Sequence, residues 1–140
     1  MTNHPKPLLR KIDCIRIYVP DLEAGLSFYR DRLGHQLIWR TEHALGLQMP
    51  ETDAEIVLQD EDKVYEVDFK VDSVEEAARR FVEAGAKVSV PPFDIPIGRC
   101  AVILDPWGNP FVLLDTSKGI YSTDANGNVT GNVKVEKPGE

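Results

Sequence analysis

One order of local patterns occurs twice along the chain, and that repeat limits the fold more than any other feature. In residues 11–19 (KIDCIRIYV), Ile15, Ile17 and Val19 alternate with Cys14, Arg16 and Tyr18, a period of two that predicts a strand. Pro20 stops it, and Asp21 is the expected N-cap of a helix over residues 22–33. Leu22, Leu26, Tyr29 and Leu33 fall at helical spacing there, and Gly34 is free to take the positive φ that ends a helix. Three period-two segments follow, at residues 35–41, 44–49 and 54–60. The order then restarts. Residues 64–71 alternate Val67, Phe69 and Val71 against Glu66, Asp68 and Lys70. Ser73 and Glu76 form a capping box for a helix with Val74, Ala78, Phe81 and Val82 on its buried stripe, and Gly85 closes it. Residues 87–90, 99–104 and 111–114 supply three more strands, with the Pro-rich PPFDIP segment read as a loop and DPWGNP as a turn.

A βαβββ unit of about 50 residues has too little core to stand alone, so the two are expected to pack into one α+β domain covering residues 1–140. Module one spans about 12–60, module two about 64–115, and residues 116–140 form an extension. In that extension Asn126-Gly127 is a candidate hairpin turn between Tyr121 and Val129; a loosely packed tail is the alternative, and residues 136–140 are expected to be mobile. The 42% hydrophobic content supports a real core, while a net charge of −7 argues against nucleic acid or anionic membrane as partners. No apolar run approaches the roughly 18 residues of a bilayer span, and residues 1–10 lack a signal-peptide core, so a cytosolic location is expected. Cys14 and Cys100 are read as reduced thiols.

The paired βαβββ order, with VPDLEAGLSFYRDRLG at residues 19–34 and LDPWGNPFVLL at 104–114, resembles the glyoxalase/bleomycin-resistance/extradiol-dioxygenase family, the vicinal oxygen chelate superfamily. The resemblance covers about residues 12–115. It implies a curved mixed sheet, helices outside and a ligand cavity on the concave side. Enzymes of the family usually hold a divalent metal there with His and Glu from the first and last strand of each unit. Carried onto this chain, those positions fall on Cys14, Val57, Glu66 and Val112. Two aliphatic side chains ligate nothing, and a thiol with one carboxylate falls short of the three protein ligands usual in a catalytic site. No cofactor is therefore expected, with a divalent metal held by other residues left open. His4, His35 and His43 lie outside the expected ligand positions and are read as solvated or capping residues, with a metal bridging two chains as the alternative.

Strand alternation next assigns a cavity face. Arg16, Tyr18, Glu66, Asp68 and Lys70 share the parity of Cys14 and Glu66, and Gln48, Val57, Gln59, Arg99, Ile103, Val112 and Leu114 are expected to look inward, with Trp39 as a further candidate. Cys100 is assigned to the helix side, opposite Cys14, so no disulfide is expected. Arg16 with Asp68 is the expected ion pair, and Arg99 and Lys70 are the candidate anchors for a carboxylate or phosphate. A polar, merely wet sheet face is the competing reading.

The leading functional reading is a metal-free protein that binds a small organic, anionic molecule, similar in kind to the antibiotic-sequestering members of the family; those relatives imply a homodimer. The alternative is an enzyme of the same fold, a lyase, isomerase or dioxygenase acting on a small oxygenated metabolite. Glu66 is its candidate general base and Tyr18, Lys70 or Arg99 its charge stabilisers. A non-catalytic interaction module is the third reading.

Overall fold

A computed structural model describes residues 6–134. The element order is β1 (Lys11–Tyr18), α1 (Leu22–Leu26), β2 (Leu37–Arg40), β3 (Ala44–Met49), β4 (Thr52–Gln59), β5 (Tyr65–Lys70), α2 (Val74–Glu83), β6 (Lys87–Ile95), β7 (Gly98–Leu104), β8 (Pro110–Leu114), β9 (Ile120–Thr123) and β10 (Val129–Val133). Eight strands form one mixed sheet in the order β2-β3-β4-β1-β5-β8-β7-β6, and β9 and β10 form a separate hairpin. Each module has the same wiring. Its first strand runs parallel to its last, β1 to β4 and β5 to β8, and the modules join through the antiparallel β1–β5 pair.

The local signals act as their chemistry predicts. Asp21 accepts from the backbone N–H groups of Glu23 and Ala24 at 2.9 and 3.2 Å, and Ser73 Oγ accepts from Glu76 N at 3.3 Å. Gly34 and Gly85 both take positive φ at the helix ends. The first helix departs from expectation: after Leu26 it widens into π-helical turns over Ser27–Arg32, and the N–H of Leu33 reaches the carbonyl of Phe28 at 3.1 Å.

Two cores lie on the helix side of the sheet, one under each helix. Leu22 and Leu26 of α1 pack on Leu45, Leu47 and Leu58, with Ile17 and Ile56 at the margin. Val74, Ala77 and Ala78 of α2 pack on Val71, Ala101, Ile103 and Leu113. These contacts leave the opposite face of the strands free to line a cavity.

One expectation needs correction, and one open alternative is decided. PPFDIP is not a loop: β6 continues through it to Ile95, paired with β7 and accommodating register shifts at Val88/Val90 and Val90/Phe93. Prolines are tolerated there because β6 is the sheet edge, with one ladder left unpaired. Tyr121, expected between a hairpin and a loose tail, belongs to β9 of an ordered hairpin. Its turn returns to module one, where Arg40 N donates to the Gly127 carbonyl at 2.8 Å. Asp124 holds that turn by accepting from the N–H groups of Asn126 and Asn128, the arrangement Asp105 makes with Trp107 and Asn109 in DPWGNP. The expected mobility of residues 136–140 and the reading of His4 concern positions outside the described residues.

Candidate functional site

A cavity of 530 Å³ opens on the sheet face opposite the helices. The sheet registers arrange its floor in two rows. Glu55, Cys14, Asp68, Val112 and Val102 lie side by side across β4, β1, β5, β8 and β7, and Val57, Arg16 and Glu66 form the next row. Asp13 joins them because β1 is irregular between Ile12 and Cys14: Ile12 faces Phe69, Cys14 faces Asp68, and the intervening residue turns inward. Ile95, Pro96 and Ile97 close one side. The β9 hairpin closes another with Ile120, Tyr121 and Thr123.

The cavity wall is mostly apolar, yet four carboxyl groups reach it, those of Asp13, Glu55, Glu66 and Asp68. Arg16 is the single cationic side chain among the described lining residues. Its guanidinium lies 3.4 Å from Glu66 and 4.0 Å from Asp62, so the expected Arg16–Asp68 pair is replaced by one with the neighbour two residues back, its direct cross-strand partner. Trp39 donates its indole N–H to Glu55 Oε1 at 2.7 Å and lies against Tyr121, ring centroids 4.9 Å apart. Gly46 makes that possible. A Cβ there would stand 2.1 Å from the indole nitrogen and 2.7 Å from the Glu55 carboxylate.

Asp68 has no such partner. It is 6% exposed, its Oδ2 accepts only the Cys14 thiol at 3.5 Å, and its Oδ1 is buried with no hydrogen-bond partner among the described residues. Burial and the adjacent Glu66 push its carboxyl up to about 8, against a smaller downward pull from Cys14 and Arg16. Burial also raises Asp13 and Glu55, and it raises the Cys14 thiol strongly, with Asp68 adding to it. Cys100, which also lines the cavity, is pushed up to about 12 by burial first and by Asp68 and Glu66 next. Both thiols are therefore protonated and weakly nucleophilic.

The inward set expected from alternation is only partly assembled. Arg16, Trp39, Val57, Glu66, Asp68, Val112 and Leu114 meet at the cavity. On β7 the assignment is reversed: Cys100 and Val102 line the cavity, while Ile103 packs under α2 and Arg99 points to the helix side. Cross-strand partners share a face, so Cys100 and Val102 follow Leu114 and Val112 inward. Arg99 is instead held by Glu75 at 2.7 Å and Asp94 at 3.1 Å. Cys14 and Cys100 thus sit on the same face, contrary to expectation, and both are free thiols.

Lys70, Tyr18, Gln48 and Gln59 are not among the lining residues. Lys70 ends β5, where it faces Lys11, and Tyr18 lies under the Lys63 ammonium at 6.0 Å. Gln48 is exposed, its carbonyl 2.9 Å from His35 Nδ1. Buried Gln59 accepts from Glu61 N and Asp62 N and ties down the connector between the modules. The expected cation-lined cavity is therefore a carboxyl-rich one. Sequence reading missed Asp13, hidden by an irregular strand, and Glu55, which the alternation of β4 could have delivered. It also missed Tyr121, which only the docking of the hairpin brings in.

The positions that the family resemblance assigns to metal ligands, Cys14, Val57, Glu66 and Val112, do all line the cavity. As a donor set they do not fit a divalent ion. Val57 and Val112 offer no donor atom, the Cys14 thiol resists deprotonation, and Glu66 is engaged by Arg16. Among the described residues, the group whose ligand atoms all lie within 4.8 Å of one another is His43, Asp60 and Glu61, in an exposed turn and not part of the cavity. His43 Nδ1 lies 3.0 Å from the Asp60 carboxylate, which raises the imidazole, and the side chain is half exposed, in keeping with the solvated alternative.

Paired βαβββ modules sharing one curved sheet, with a cavity opposite the helices, define a class of small-molecule-handling folds. The chain belongs to the Glyoxalase/Bleomycin resistance protein/Dioxygenase superfamily, whose family model matches residues 11–113. Its fold is similar to that of methylmalonyl-CoA epimerase from Mycobacterium tuberculosis, at 18% identity and a TM-score of 0.68, covering 82% of this chain and 93% of that one. The same enzyme from Streptomyces coelicolor, complexed with 2-nitronate-propionyl-CoA, matches at 19% identity and 0.64, covering 78% and 99%. Homoprotocatechuate 2,3-dioxygenase from Brevibacterium fuscum, complexed with 3,4-dihydroxyphenylacetate, matches at 23% and 0.58, covering 80% of this chain and 38% of that one. No curated protein sequence gives a significant match.

Proposed function

We propose that the protein binds a small organic molecule in the cavity between its modules, without a resident metal. The observation that carries this reading is the cavity itself: 530 Å³, apolar over most of its wall, with a few carboxyl groups gathered on its floor. Its donor set supports the metal-free part, since two of the four family positions are valines. Members of the fold accept CoA esters and catechols in the complexes named above, consistent with a small-molecule site here. A thermal-shift screen of metabolites and antibiotics tests the binding; a ligand at a hundredfold excess over Kd adds about 2.7 kcal/mol of stability. Val102→Trp, which fills the cavity, is expected to abolish the response, and a response that survives it places the ligand elsewhere. Elemental analysis yielding one divalent ion per chain would overturn the metal-free part. Silence across the panel favours the non-catalytic interaction module.

One observation favours a second reading, an acid–base enzyme. Asp68, raised to about 8, keeps a proton near neutral pH beside Glu66, which is paired with Arg16, so the floor of the cavity holds a proton donor next to an ion-paired carboxyl group. Solvent deuterium incorporated next to the carbonyl of a bound acyl compound, and lost in both Asp68→Asn and Glu66→Gln, is its signature. A cytosolic location, expected from the sequence, and pairing of two chains, implied by the family resemblance, belong to this proposal; light scattering giving twice the 15.7 kDa chain mass tests the pairing.

A further inference from the structure

The cavity's charges do not balance, and the imbalance identifies its ligand. Of the four carboxyls on the wall, Glu66 is answered by Arg16 and Glu55 by the Trp39 indole N–H. Asp13 and Asp68 have no ion-pair partner within 4.0 Å among the described residues. Asp68 is the sharper case, since it is 94% buried by its 6% exposure and leaves Oδ1 with no donor. A buried acceptor without a partner costs free energy that a bound donor would recover. A carboxylate or phosphate ligand would meet four carboxyls and a guanidinium already in use, whereas an ammonium group would meet carboxyl oxygens, Asp68 Oδ1 among them with no partner.

Resting on the binding function proposed above, we infer that the ligand is an organic ammonium ion, with its cationic head on Asp68 and its apolar body against the module-two wall. The site suits both ends. Asp68 neighbours Val112 across β5 and β8, and Val102 continues that row, so an N–H donor on Asp68 carries its hydrocarbon directly onto an apolar surface. The Trp39–Tyr121 pair adds aromatic surface to the wall of the same cavity. An ammonium ligand replaces the anionic ligand expected from the sequence, whose two anchors, Arg99 and Lys70, lie off the cavity wall.

Matched triads test the inference by calorimetry on the full chain. Tryptamine, tryptophol and indoleacetate share one skeleton and differ in an ammonium, a hydroxyl and a carboxylate; a phenyl triad built the same way repeats the comparison. The expected result is that each ammonium compound binds about tenfold or more tighter than its alcohol, with the carboxylate weakest. Asp68→Asn is expected to erase the preference for the ammonium while leaving the affinity for the alcohol unchanged, and Asp68→Ser serves as a second variant if Asp68→Asn does not fold. Equal affinity across a triad, or a preference for the carboxylate, overturns the ammonium inference and leaves the binding function standing. Failure of every compound to bind at millimolar concentration, with no hit in the wider screen, removes the binding function and this inference together.

Discussion

Two aspartates are almost equally buried, and the molecule treats them in opposite ways. Asp115, 3% exposed at the end of β8, accepts from Val74 N at the start of α2, from Arg99 N on β7, and from the N–H and hydroxyl of Ser117. Burial pushes its carboxyl up, but those four donors outweigh burial and hold it below the usual range. Asp68, 6% exposed on β5, receives one weak thiol contact and is pushed up to about 8. Gly98 shows how closely the first is fitted, since a Cβ there would stand 2.2 Å from the Asp115 carbonyl oxygen. The second faces an open cavity. Equal burial thus has two outcomes: a satisfied carboxylate fastens a helix to the sheet, and an unsatisfied one faces the cavity.

The largest expected effect is on the fastened site. Asp115→Ala strands several buried donors and is expected to cost about 3 kcal/mol or more in denaturant unfolding. A loss near zero would remove the contrast. Gly46→Ala follows at about 2 kcal/mol, because the new methyl collides with Trp39 and Glu55. In a background with exposed Trp107 replaced by Phe, the fluorescence of Trp39 should change at the same time; an unchanged spectrum means the indole does not depend on that glycine.

The pH dependences of the two sites should run in opposite directions. Asp68 has a folded pKa raised from 3.8 to about 8, so the folded state binds more protons than the unfolded one in that interval. Its contribution is complete below pH 3.8 and is lost as pH rises to about 8, with a slope of at most roughly 1.4 kcal/mol per pH unit. Asp115 has a lowered folded pKa, so its contribution is present above 3.8 and is lost as pH falls through its folded value. Asp68→Asn should flatten the fall toward pH 8 and make the variant about 1 kcal/mol more stable than wild type above it. An unchanged slope would mean that Asp68 titrates normally. The smallest effect is expected for Arg99→Ala: its solvent-screened pairs with Glu75 and Asp94 contribute little to stability in denaturant unfolding, and the affinity of a cavity ligand should not move. A weakened affinity would restore Arg99 as an anchor.

Much of the fold was legible because its signals are local. Asp21, Ser73, Gly34 and Gly85 mark helix ends through their own backbone chemistry, and the alternation on β1 and β5 marks which side chains share a face. The cavity was legible only where that alternation runs unbroken. It failed at Asp13, where one irregular residue turns a side chain inward, and on β7, whose partner β6 was expected to end at Val90, before PPFDIP. Trp39 could be suspected from its aromatic character, but its partners Glu55, Gly46 and Tyr121 come from β4, β3 and β9.

By itself, then, the sequence determined the duplicated βαβββ order, the acidic balance of the chain and the valines at two family ligand positions, since these depend on residue identity and short-range periodicity. Which charges meet inside was decided by the tertiary structure alone. Registers between strands, the bulge in β1 and the docked hairpin set Arg99 against Glu75 and Asp94, Arg16 against Glu66, and left Asp68 at the cavity with its Oδ1 lacking a donor among the described residues. The physical reason is that a side chain's partner depends on cross-strand neighbours far apart in the chain, and a shift of one residue moves a charge from one face of a sheet to the other.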